Sequence, residues 1–328
     1  MTKFKRLLLG TIFLVGIFVQ LPVQAQSVRK EVQGNQTTYV TTNYYAHAVN
    51  VGKRQLVTNK LARLYSIANG RVDDDHWVSV TKNSVLTVKD KLTSRNGYVV
   101  TIPGNKNQFA FINPIKYVYS IAGIKNNPEK IKQLTVSSKK WAKKLSKGQV
   151  KAIRYYTNNG YGKINTALRQ PDDAASAKVK TSIKSISTGI QAFHLDQPTT
   201  VYRGISKEGL AKSLGSQSLK VGRQYHDPAY SSCTLSQMIA LGFSKQHVVL
   251  KINLPTGYHG AYIDPVSTNV GEKEYLLDSG TKLIVTKVQQ AKSTVHTVTT
   301  IKKKGKQTKK QVSNVKTNYQ LVTLNLKQ

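Results

Sequence analysis

The stretch GEKEYLLDSG, residues 271–280, places an acidic pair at the entrance of an apolar run. Glu272 and Glu274 stand one residue apart, directly before Tyr275-Leu276-Leu277. The apolar run predicts a core strand, and on extended backbone the two carboxylates would project from the same face. Like charges that close repel, so the pair costs stability unless a cation binds there or one carboxylate has a function. Two solvated acids at a strand end would be the alternative interpretation.

The rest of the chain is strongly basic. Its 328 residues include 50 basic and only 15 acidic ones, which gives a formal net charge of +35. Such a charge favours binding to polyanions, among them anionic cell-surface polymer, anionic lipid and nucleic acid. The 39% hydrophobic content is typical of a globular protein with an ample core.

The N-terminus predicts secretion. A basic segment with Lys3, Lys5 and Arg6 precedes an apolar run, and Ala25 closes a small-residue cleavage signal. We therefore expect residues 1–25 to be a cleaved Sec signal peptide. Cys233 is the single cysteine, which excludes a disulfide scaffold and a cysteine-rich zinc site and favours a Gram-positive exoprotein.

The remaining chain predicts two folded regions. Residues 26–124 alternate apolar and polar side chains between turn clusters and predict a small β-rich module of unknown role. Residues 125–136 are predicted to form a linker. Residues 137–328 then show helical periodicity followed by short strands, the order of an α+β domain, and end in a lysine-rich β-hairpin.

Several details of the second region are also predicted. Ser137 or Ser138 is a candidate helix cap, and Gly160 and Gly162 are expected to break the helical run. A longer helix is expected from Asp172 onward.

Common cofactor motifs are absent. The sequence has no phosphate-binding G-x-x-x-x-G-K-[ST] loop, no G-x-G-x-x-G fingerprint and no G-x-S-x-G nucleophile turn. None of the seven histidines forms H-E-x-x-H, so no catalytic metal is expected.

Two further stretches carry polar groups that can bind phosphate or position a carboxylate or a ribose. TVYRGIS, residues 200–206, predicts a strand that ends at Arg203, whose guanidinium can fork onto phosphate while Gly204 allows close backbone approach. DPAYSSCTLS, residues 227–236, places Ser232 and Thr234 on one face of a strand. Taken singly, a surface ion pair for Arg203 and a polar edge strand for Ser232 and Thr234 are the favoured interpretations of these stretches.

The order YRG, Y-x-S-x-T and E-x-E-x-L-L-x-x-G-T-K resembles bacterial mono-ADP-ribosyltransferase exotoxins of the Arg–Ser–Glu class. This class includes the clostridial Rho-modifying exoenzymes and the enzymatic components of actin-modifying binary toxins. The resemblance covers about residues 137–292 and includes the helical stretch 141–169, GAYIDPVS at 260–267 and GTKLIVTKV at 280–288. It implies an ADP-ribosyltransferase fold, in which helices precede a two-sheet β core. It also implies NAD as co-substrate, with transfer of ADP-ribose to a protein side chain.

The resemblance implies a role for each acid of the opening stretch. Glu274 would hold the ribose hydroxyl beside the reacting carbon and stabilise an oxocarbenium-like transition state. Ser232 would orient Glu274. Glu272 would select arginine as acceptor, because a carboxylate two residues before the catalytic one can pair with a guanidinium and take its proton.

The resemblance also implies the NAD-binding residues. Arg203 would clamp the phosphates with help from Arg169, and Gly204 would lie against the cofactor. Asn165 would support the pocket, and Tyr156 would pack near the dinucleotide.

The sequence departs from the family pattern in three places, one of which is Ala229, where the family usually has glycine before the aromatic residue. Cys233 and Thr234 follow Ser232 where the family has Thr-Ser, and we expect Cys233 to be a packed residue. The stretch Thr268–Gly271 lacks the aromatic residue often found there.

Two alternatives to the transferase function remain open: an NAD glycohydrolase, and a weakly catalytic protein that binds cell surface or nucleic acid. No obligate oligomer is indicated, and the arginine-bearing acceptor protein is not identified by the sequence.

Overall fold

A computed structural model describes residues 25–50, 54–121, 127–171, 175–269 and 271–327. The predicted signal peptide and the predicted helix start at Asp172 lie outside these residues. Two compact units are present. One comprises the described residues up to Ala46 together with Val295–Asn314, and the other comprises His47–Thr294 and Val315–Gln328.

The first unit is a lysine-rich β-sheet. Its strands are β1 (Ala25–Gln33), β2 (Gln36–Asn50) and the outer ends of β15 (Lys282–Lys303) and β16 (Lys306–Leu326), in the order β1-β2-β15-β16. Lys304 and Gly305 form the hairpin tip with positive φ of 49° and 78°. The predicted lysine-rich hairpin is therefore present. Its second strand runs without interruption into the predicted final strand.

The second unit begins with a six-stranded antiparallel sheet in the order β3-β6-β7-β8-β4-β5. Its strands are β3 (Gln55–Val57), β4 (Ala62–Ala68), β5 (Arg71–Val80), β6 (Val85–Lys91), β7 (Gly97–Thr101) and β8 (Phe109–Ile112). Alternating residues bury a core that includes Leu64, Leu86 and Phe111. The β-rich character predicted for 26–124 is confirmed, although β1 and β2 belong to the first unit.

The helices precede most strands of the main sheet. They are α1 (Pro128–Ala142), α2 (Lys147–Tyr155), α3 (Tyr161–Arg169), α4 (Ala177–Gln191), α5 (Lys207–Ser213) and α6 (Gln237–Phe243). A π-helical turn, Tyr156–Gly160, joins α2 directly to α3. Gly160 and Gly162 therefore do not break the helical run as predicted, because the wider turn absorbs the irregularity.

The predicted linker over 125–136 is mostly helix. Asn127 caps α1 by accepting a hydrogen bond from Lys130 N at 2.8 Å, and Pro128 occupies the first turn. Both are ordinary helix-start signals. The predicted caps Ser137 and Ser138 lie inside α1, where their hydroxyls donate to Asp196 and to the carbonyl of Tyr262.

The main sheet of the second unit has the order β15-β16-β12-β9-β11-β14-β13, and β10 pairs with β15. The remaining strands are β9 (Thr199–Ile205), β10 (Gln224–His226), β11 (Ser231–Thr234), β12 (Val248–Leu254), β13 (Gly260–Tyr262) and β14 (Glu274–Leu277). Helices α1 to α4 contribute Trp141, Ile153, Ile164 and Ile186 to one continuous core with these strands. The predicted α+β class, with helices followed by strands, is confirmed.

Three strands converge on one point of this sheet. Thr234 of β11 is opposite both Tyr202 of β9 and Glu274 of β14. The segments that carry Arg203, Ser232 and Glu274 are thus adjacent strands, although 71 residues (274 − 203) separate the first from the last.

Candidate active site

Glu274 is the first residue of β14 and its side chain is buried, with 4% of the residue exposed. Ser232 Oγ donates a hydrogen bond to Glu274 Oε1 at 2.6 Å, and Ser267 Oγ donates to Oε2 at 3.3 Å. A buried carboxylate needs such donors, because removing it from water without partners is costly. The two hydroxyls fix both oxygens of the carboxylate in one orientation.

The electrostatic state of Glu274 follows from this setting. Burial raises the pKa of Glu274 above its ordinary value, and the negative charge of Glu272 adds to the rise. The hydrogen bonds from Ser232 and Ser267 oppose it by stabilising the charged form of Glu274. A buried carboxylate with a perturbed pKa is typical of an active site.

Glu272 is placed differently from the prediction. Lys273 has a φ of +53° and Gly271 a φ of +94°, so the backbone between the two glutamates is not extended. Glu272 therefore belongs to the loop before β14, and the simple alternation of an extended strand does not apply. Thr234 Oγ1 donates to the carbonyl oxygen of Glu272 at 2.7 Å, which ties this loop to β11.

The side chain of Glu272 is partly exposed. Partial burial raises the pKa of Glu272, which a hydrogen bond with Asn269 opposes and the charge of Asp264 reinforces. Asp264 also accepts a hydrogen bond from Lys273 N at 2.9 Å, so it braces the same loop.

The π-helical turn (Tyr156–Gly160) anchors the N-terminal end of the loop that carries Glu272. Thr157 Oγ1 accepts a hydrogen bond from Thr268 N at 3.1 Å and lies 3.0 Å from Thr268 Oγ1. Asn269 Nδ2 donates to the carbonyl oxygen of Thr157 at 2.9 Å. These bonds connect the glutamate loop to the helical part of the domain, through a residue that is itself buried.

The basic side of the site is centred on Arg203. It lies inside β9 and not at the strand end, since β9 continues to Ile205. Its side chain is 16% exposed, and Nη1 donates to the carbonyl oxygen of Ser232 at 3.0 Å. Strand pairing thus brings Arg203 next to the serine that holds Glu274.

Asp227 holds the two arginines in place. Arg169 Nε and Nη2 donate to the two carboxylate oxygens of Asp227 at 2.9 Å each, and Arg203 Nη2 lies 3.9 Å from Asp227 Oδ2. Burial by itself would raise the pKa of Asp227, but the bonds from Arg169 and Ala229 and the two positive charges outweigh it and lower that pKa. The two arginines therefore favour the charged form of Asp227, which lies between them.

Two buried polar atoms at the site have no hydrogen-bond partner among the described residues. They are Arg203 Nε, a donor, and Asn165 Oδ1, an acceptor. Asn165 Nδ2 donates to the hydroxyl of Tyr156 at 3.2 Å. Unsatisfied buried groups are costly, so a donor and an acceptor left open here fit a ligand that carries phosphate and hydroxyl groups.

The structure changes the expectation for Tyr156 and Gly204. Tyr156 is 2% exposed and packs edge-on against Tyr230, so it supports Asn165 from the core and does not offer its ring to a ligand. A Cβ at Gly204 would lie 2.1 Å from the carbonyl oxygen of Ala240. The absent side chain therefore lets α6 pack on β9, and the expected close approach to a cofactor does not explain this glycine.

Cys233 lies on the opposite face from its neighbours. Ser232 and Thr234 bond to the glutamate segment as the strand alternation predicted, while the Cys233 thiol is buried and points to the Ser231 carbonyl. Burial raises the pKa of Cys233 to about 12, so the thiol stays protonated at neutral pH. This agrees with the prediction of a packed residue.

Sequence reasoning missed Asp227, Ser267 and Thr157. Asp227 and Ser267 stand within motifs quoted above, and their polarity next to buried strands was a usable signal. Thr157 carried no comparable signal, because its role depends on a π-turn and on a loop 111 residues away.

The described residues contain no group of three or more His, Cys, Asp or Glu side chains positioned to hold a metal ion. No helix within the described ranges is long and apolar enough to cross a bilayer.

Comparison with known proteins agrees with the class suggested by the arrangement of strands and site. The family described as ADP-ribosyltransferase exoenzyme matches residues 135–313. The match covers more than half of the chain, and the protein belongs to this family. The resemblance drawn from the sequence motifs is thereby confirmed.

The individual relatives described below share less than 30% sequence identity with this chain. The NAD(+)–arginine ADP-ribosyltransferase EFV of Enterococcus faecalis is 28% identical over 156 residues, which cover 45% of this chain and 30% of the relative. The mono-ADP-ribosyltransferase C3 of a Clostridium botulinum phage is 24% identical over 162 residues, covering 44% and 66%. The chain thus spans less than two thirds of the length of these relatives.

Among solved structures, C3stau2 from S. aureus with NAD is similar with a TM-score of 0.45 and 23% identity. The similarity covers 62% of this chain and 99% of that protein.

Proposed function

We propose that the protein is a secreted mono-ADP-ribosyltransferase that moves ADP-ribose from NAD to arginine on a protein. The observation that carries this proposal is the buried Glu274 carboxylate, held at 2.6 Å by Ser232 on the strand next to Arg203. The E. faecalis relative named for NAD and arginine supports the choice of acceptor.

NAD would bind through polar atoms of Arg203, Arg169 and Asn165 that the described residues leave available. The unpaired Arg203 Nε offers a charge-assisted donor to a phosphate oxygen. Arg169 is oriented by Asp227 through Nε and Nη2, which leaves its Nη1 available to the same diphosphate. The unpaired Asn165 Oδ1 would accept a hydrogen bond from a hydroxyl or amide of NAD.

In the proposed reaction the bond between nicotinamide nitrogen and ribose C1′ breaks. The electron pair leaves with nicotinamide, which becomes neutral, and positive charge develops on the ribose. The ionised Glu274 stabilises this charge at close range, where low dielectric strengthens the interaction. Ser232 and Ser267 keep the carboxylate in position without reorganisation during the step.

The acceptor step would depend on Glu272. A guanidinium nitrogen attacks C1′ from the open side, forms the new bond and gives up a proton to the Glu272 carboxylate. The raised pKa of Glu272 makes it a better base than an ordinary glutamate. An incoming guanidinium would also neutralise the repulsion between Glu272, Asp264 and Glu274.

The test compares transfer and hydrolysis in one assay. The mature protein is incubated with NAD labelled on the adenosine side and with agmatine, a free guanidine, and labelled agmatine and free nicotinamide are both measured. We expect Glu272→Gln to lower agmatine labelling by about 10²-fold or more, the range seen when one catalytic acid–base group is lost. Nicotinamide release in water should change little.

Glu129→Gln, which alters an exposed acid on α1, is the matched control and should leave both rates unchanged. Nicotinamide release with no labelled acceptor in the wild type would replace the proposal with an NAD glycohydrolase. Absence of any NAD turnover would favour a binding protein on the same fold. Equal loss of both reactions in Glu272→Gln would contradict the role given to Glu272.

A further inference from the structure

A cavity lies within the larger unit, away from Glu274. It has a volume of about 510 Å³, is partly open to solvent and lies between the six-stranded sheet and strand β15 of the main sheet. Arg54, Gln55 and Val85 line it from the six-stranded sheet, and residues 219–221 and 286–288 line it from the opposite side. None of the residues assigned to the NAD site lines this cavity.

The walls of the cavity are fixed by close packing. Val57 and Tyr119 of the N-terminal part and Ile284 of β15 form one buried cluster, to which Val85 and Val221 add. Gly222 has a φ of +87°, and a Cβ there would lie 2.4 Å from the nearest methyl of Val85. The two sides therefore meet in close contact, and the space beside this contact is lined by strand residues (Gln55, Val85 and 286–288) and by loop residues such as 219–221.

Three of the five polar residues that line the cavity are cationic. Arg54, Lys220 and Lys287 contribute three positive charges, and no lining residue is acidic. Within the described ranges, none of these three forms an ion pair. The adjoining segments 51–53 and 122–126 contain no Asp or Glu that could supply one.

Lys287 is the most confined of the three cations. Burial and the charge of Arg54 lower the pKa of Lys287, and the charge of Lys287 in turn contributes to a lowered pKa of Lys251 on β12. Arg54 is held in place over the ring of Tyr98, with Cζ 4.4 Å from the ring centroid. Lys287 is partly buried, whereas Arg54 and Lys220 are exposed. A partly buried cation beside other cations, without a counter-charge, costs stability in the unliganded protein.

We propose that this cavity is a binding site for a soluble phosphorylated small molecule with an apolar portion. A phosphate or diphosphate group would lie between Arg54, Lys220 and Lys287, because arginine and lysine together satisfy its oxygens by charge-assisted hydrogen bonds. The apolar portion would pack against Val85 and Leu219, which line the same space. The site is independent of NAD turnover at Glu274, so its failure would leave the proposed transferase reaction untouched.

The test separates this site from the NAD site by using two sets of variants. Binding of inorganic pyrophosphate and of hexyl diphosphate is measured by isothermal titration in the Arg203→Ala background, which removes the phosphate donor of the NAD site. We expect one remaining site, with tighter binding of hexyl diphosphate than of pyrophosphate, because the alkyl chain adds buried apolar area. Lys287→Gln and Arg54→Gln should each weaken binding about tenfold or more.

Lys184→Gln is the matched control, because Lys184 is an exposed lysine on α4 with the same change of charge. Equal affinity in Lys287→Gln and Lys184→Gln would overturn the proposal, since binding would then reflect the overall positive charge. Binding only to phosphatidic acid vesicles, with none to soluble hexyl diphosphate, would also overturn it and assign the cations to a lipid surface.

Thermal unfolding without ligand gives a second readout. Lys287→Gln removes one of the repelling charges, so the variant should melt at the same or a higher temperature than the wild type. Hexyl diphosphate should raise the melting temperature of the wild type but not that of the variant. A lower melting temperature of the unliganded variant would mean that Lys287 is structural, which contradicts the proposal.

Discussion

Glu274 and Glu272 are separated by one residue, yet the fold holds them in different ways. Glu274 begins a buried strand and has both carboxylate oxygens bonded to hydroxyls of Ser232 and Ser267. Glu272 lies on a loop with left-handed backbone at Lys273 and keeps a partly exposed side chain. The backbone of this loop is attached to β11 and to the π-turn through Thr234 and Thr157.

The difference suggests a division of labour within one short segment. Cleavage of NAD needs a charge held rigidly against one carbon atom, which a sheet interior provides. Selection of a protein acceptor needs a group that reaches the surface, which a loop provides. The following predictions test this division, from the largest expected effect to the smallest.

The largest effect is expected for Glu274→Gln. The amide keeps the size of the side chain but loses the negative charge that would stabilise the ribose cation. Both nicotinamide release and arginine transfer should fall by about 10²–10³-fold, the cost of removing one preorganised electrostatic group. Steady-state assays of both products check this, and an unchanged circular dichroism spectrum controls for folding. Loss of transfer alone would reverse the roles of the two glutamates.

Asp227→Asn should weaken NAD binding by Arg169 and Arg203, the two arginines that Asp227 holds in place. The amide has one oxygen in place of two, so it can accept only one of the two hydrogen bonds that Arg169 donates to Asp227. It also leaves Arg203 without the negative charge of Asp227. We expect KM for NAD to rise about tenfold and the free energy of unfolding to fall by about 1–3 kcal/mol. Asp196→Asn, at the end of a hydrogen bond from α1, is a control with the same chemical change. An unchanged KM would show that the arginines do not depend on Asp227.

Thr157→Val should disturb only the loop that carries Glu272, and so it should affect arginine transfer but not NAD cleavage. Valine keeps the branched shape but removes the hydroxyl that binds Thr268. Loss of one or two such bonds, each about 0.5–1.5 kcal/mol, should lower arginine transfer up to about tenfold. Nicotinamide release in water should stay the same, and Thr166→Val on the exposed side of α3 should alter neither rate. An equal fall of both reactions would mean that the π-turn supports the whole site.

The smallest effects are shifts of the pH profile. Because the proposed reaction needs ionised Glu274 and the pKa of Glu274 is raised, activity should be lost as the pH falls through that raised pKa. Ser232→Ala removes a bond that stabilises the charged form, so the acid limb of kcat/KM for NAD should move to higher pH. Ser267→Ala should move it less, since its bond is longer.

Glu272→Gln should move the same limb to lower pH, because it removes the negative charge that raises the pKa of Glu274. Nicotinamide release is the readout in all of these variants, since it does not need an acceptor. Shifts of the same sign in Ser232→Ala and Glu272→Gln would contradict the electrostatic account of Glu274.

Much of this arrangement could be predicted from local patterns. The apolar run after Glu274 predicted a buried strand, and alternation placed Ser232 and Thr234 on the face opposite Cys233. The order of helices and strands predicted the α+β class. The linker prediction failed because Asn127 and Pro128 start a helix earlier than the first serines suggest.

Other features depend on pairs of residues that are far apart in the chain. The geometry of Glu272 could not be derived from alternation, because a positive φ at Lys273 turns the backbone out of the strand. The reason for Gly204 is the carbonyl of Ala240 on α6, which no pattern around residue 204 reveals. The basic cavity likewise joins Arg54 to Lys287, which are 233 residues apart (287 − 54).

The amino-acid sequence alone was enough to predict the class of fold and to nominate the residues that we propose carry the chemistry. Composition, periodicity and short motifs suffice for that, because they reflect local conformation and the side chains that a reaction needs. Only the tertiary structure decided how the charges are paired. Whether Glu274 meets Ser232 and Ser267, whether Asp227 holds two arginines, and whether three cations share one cavity depend on strand register and on contacts between distant segments.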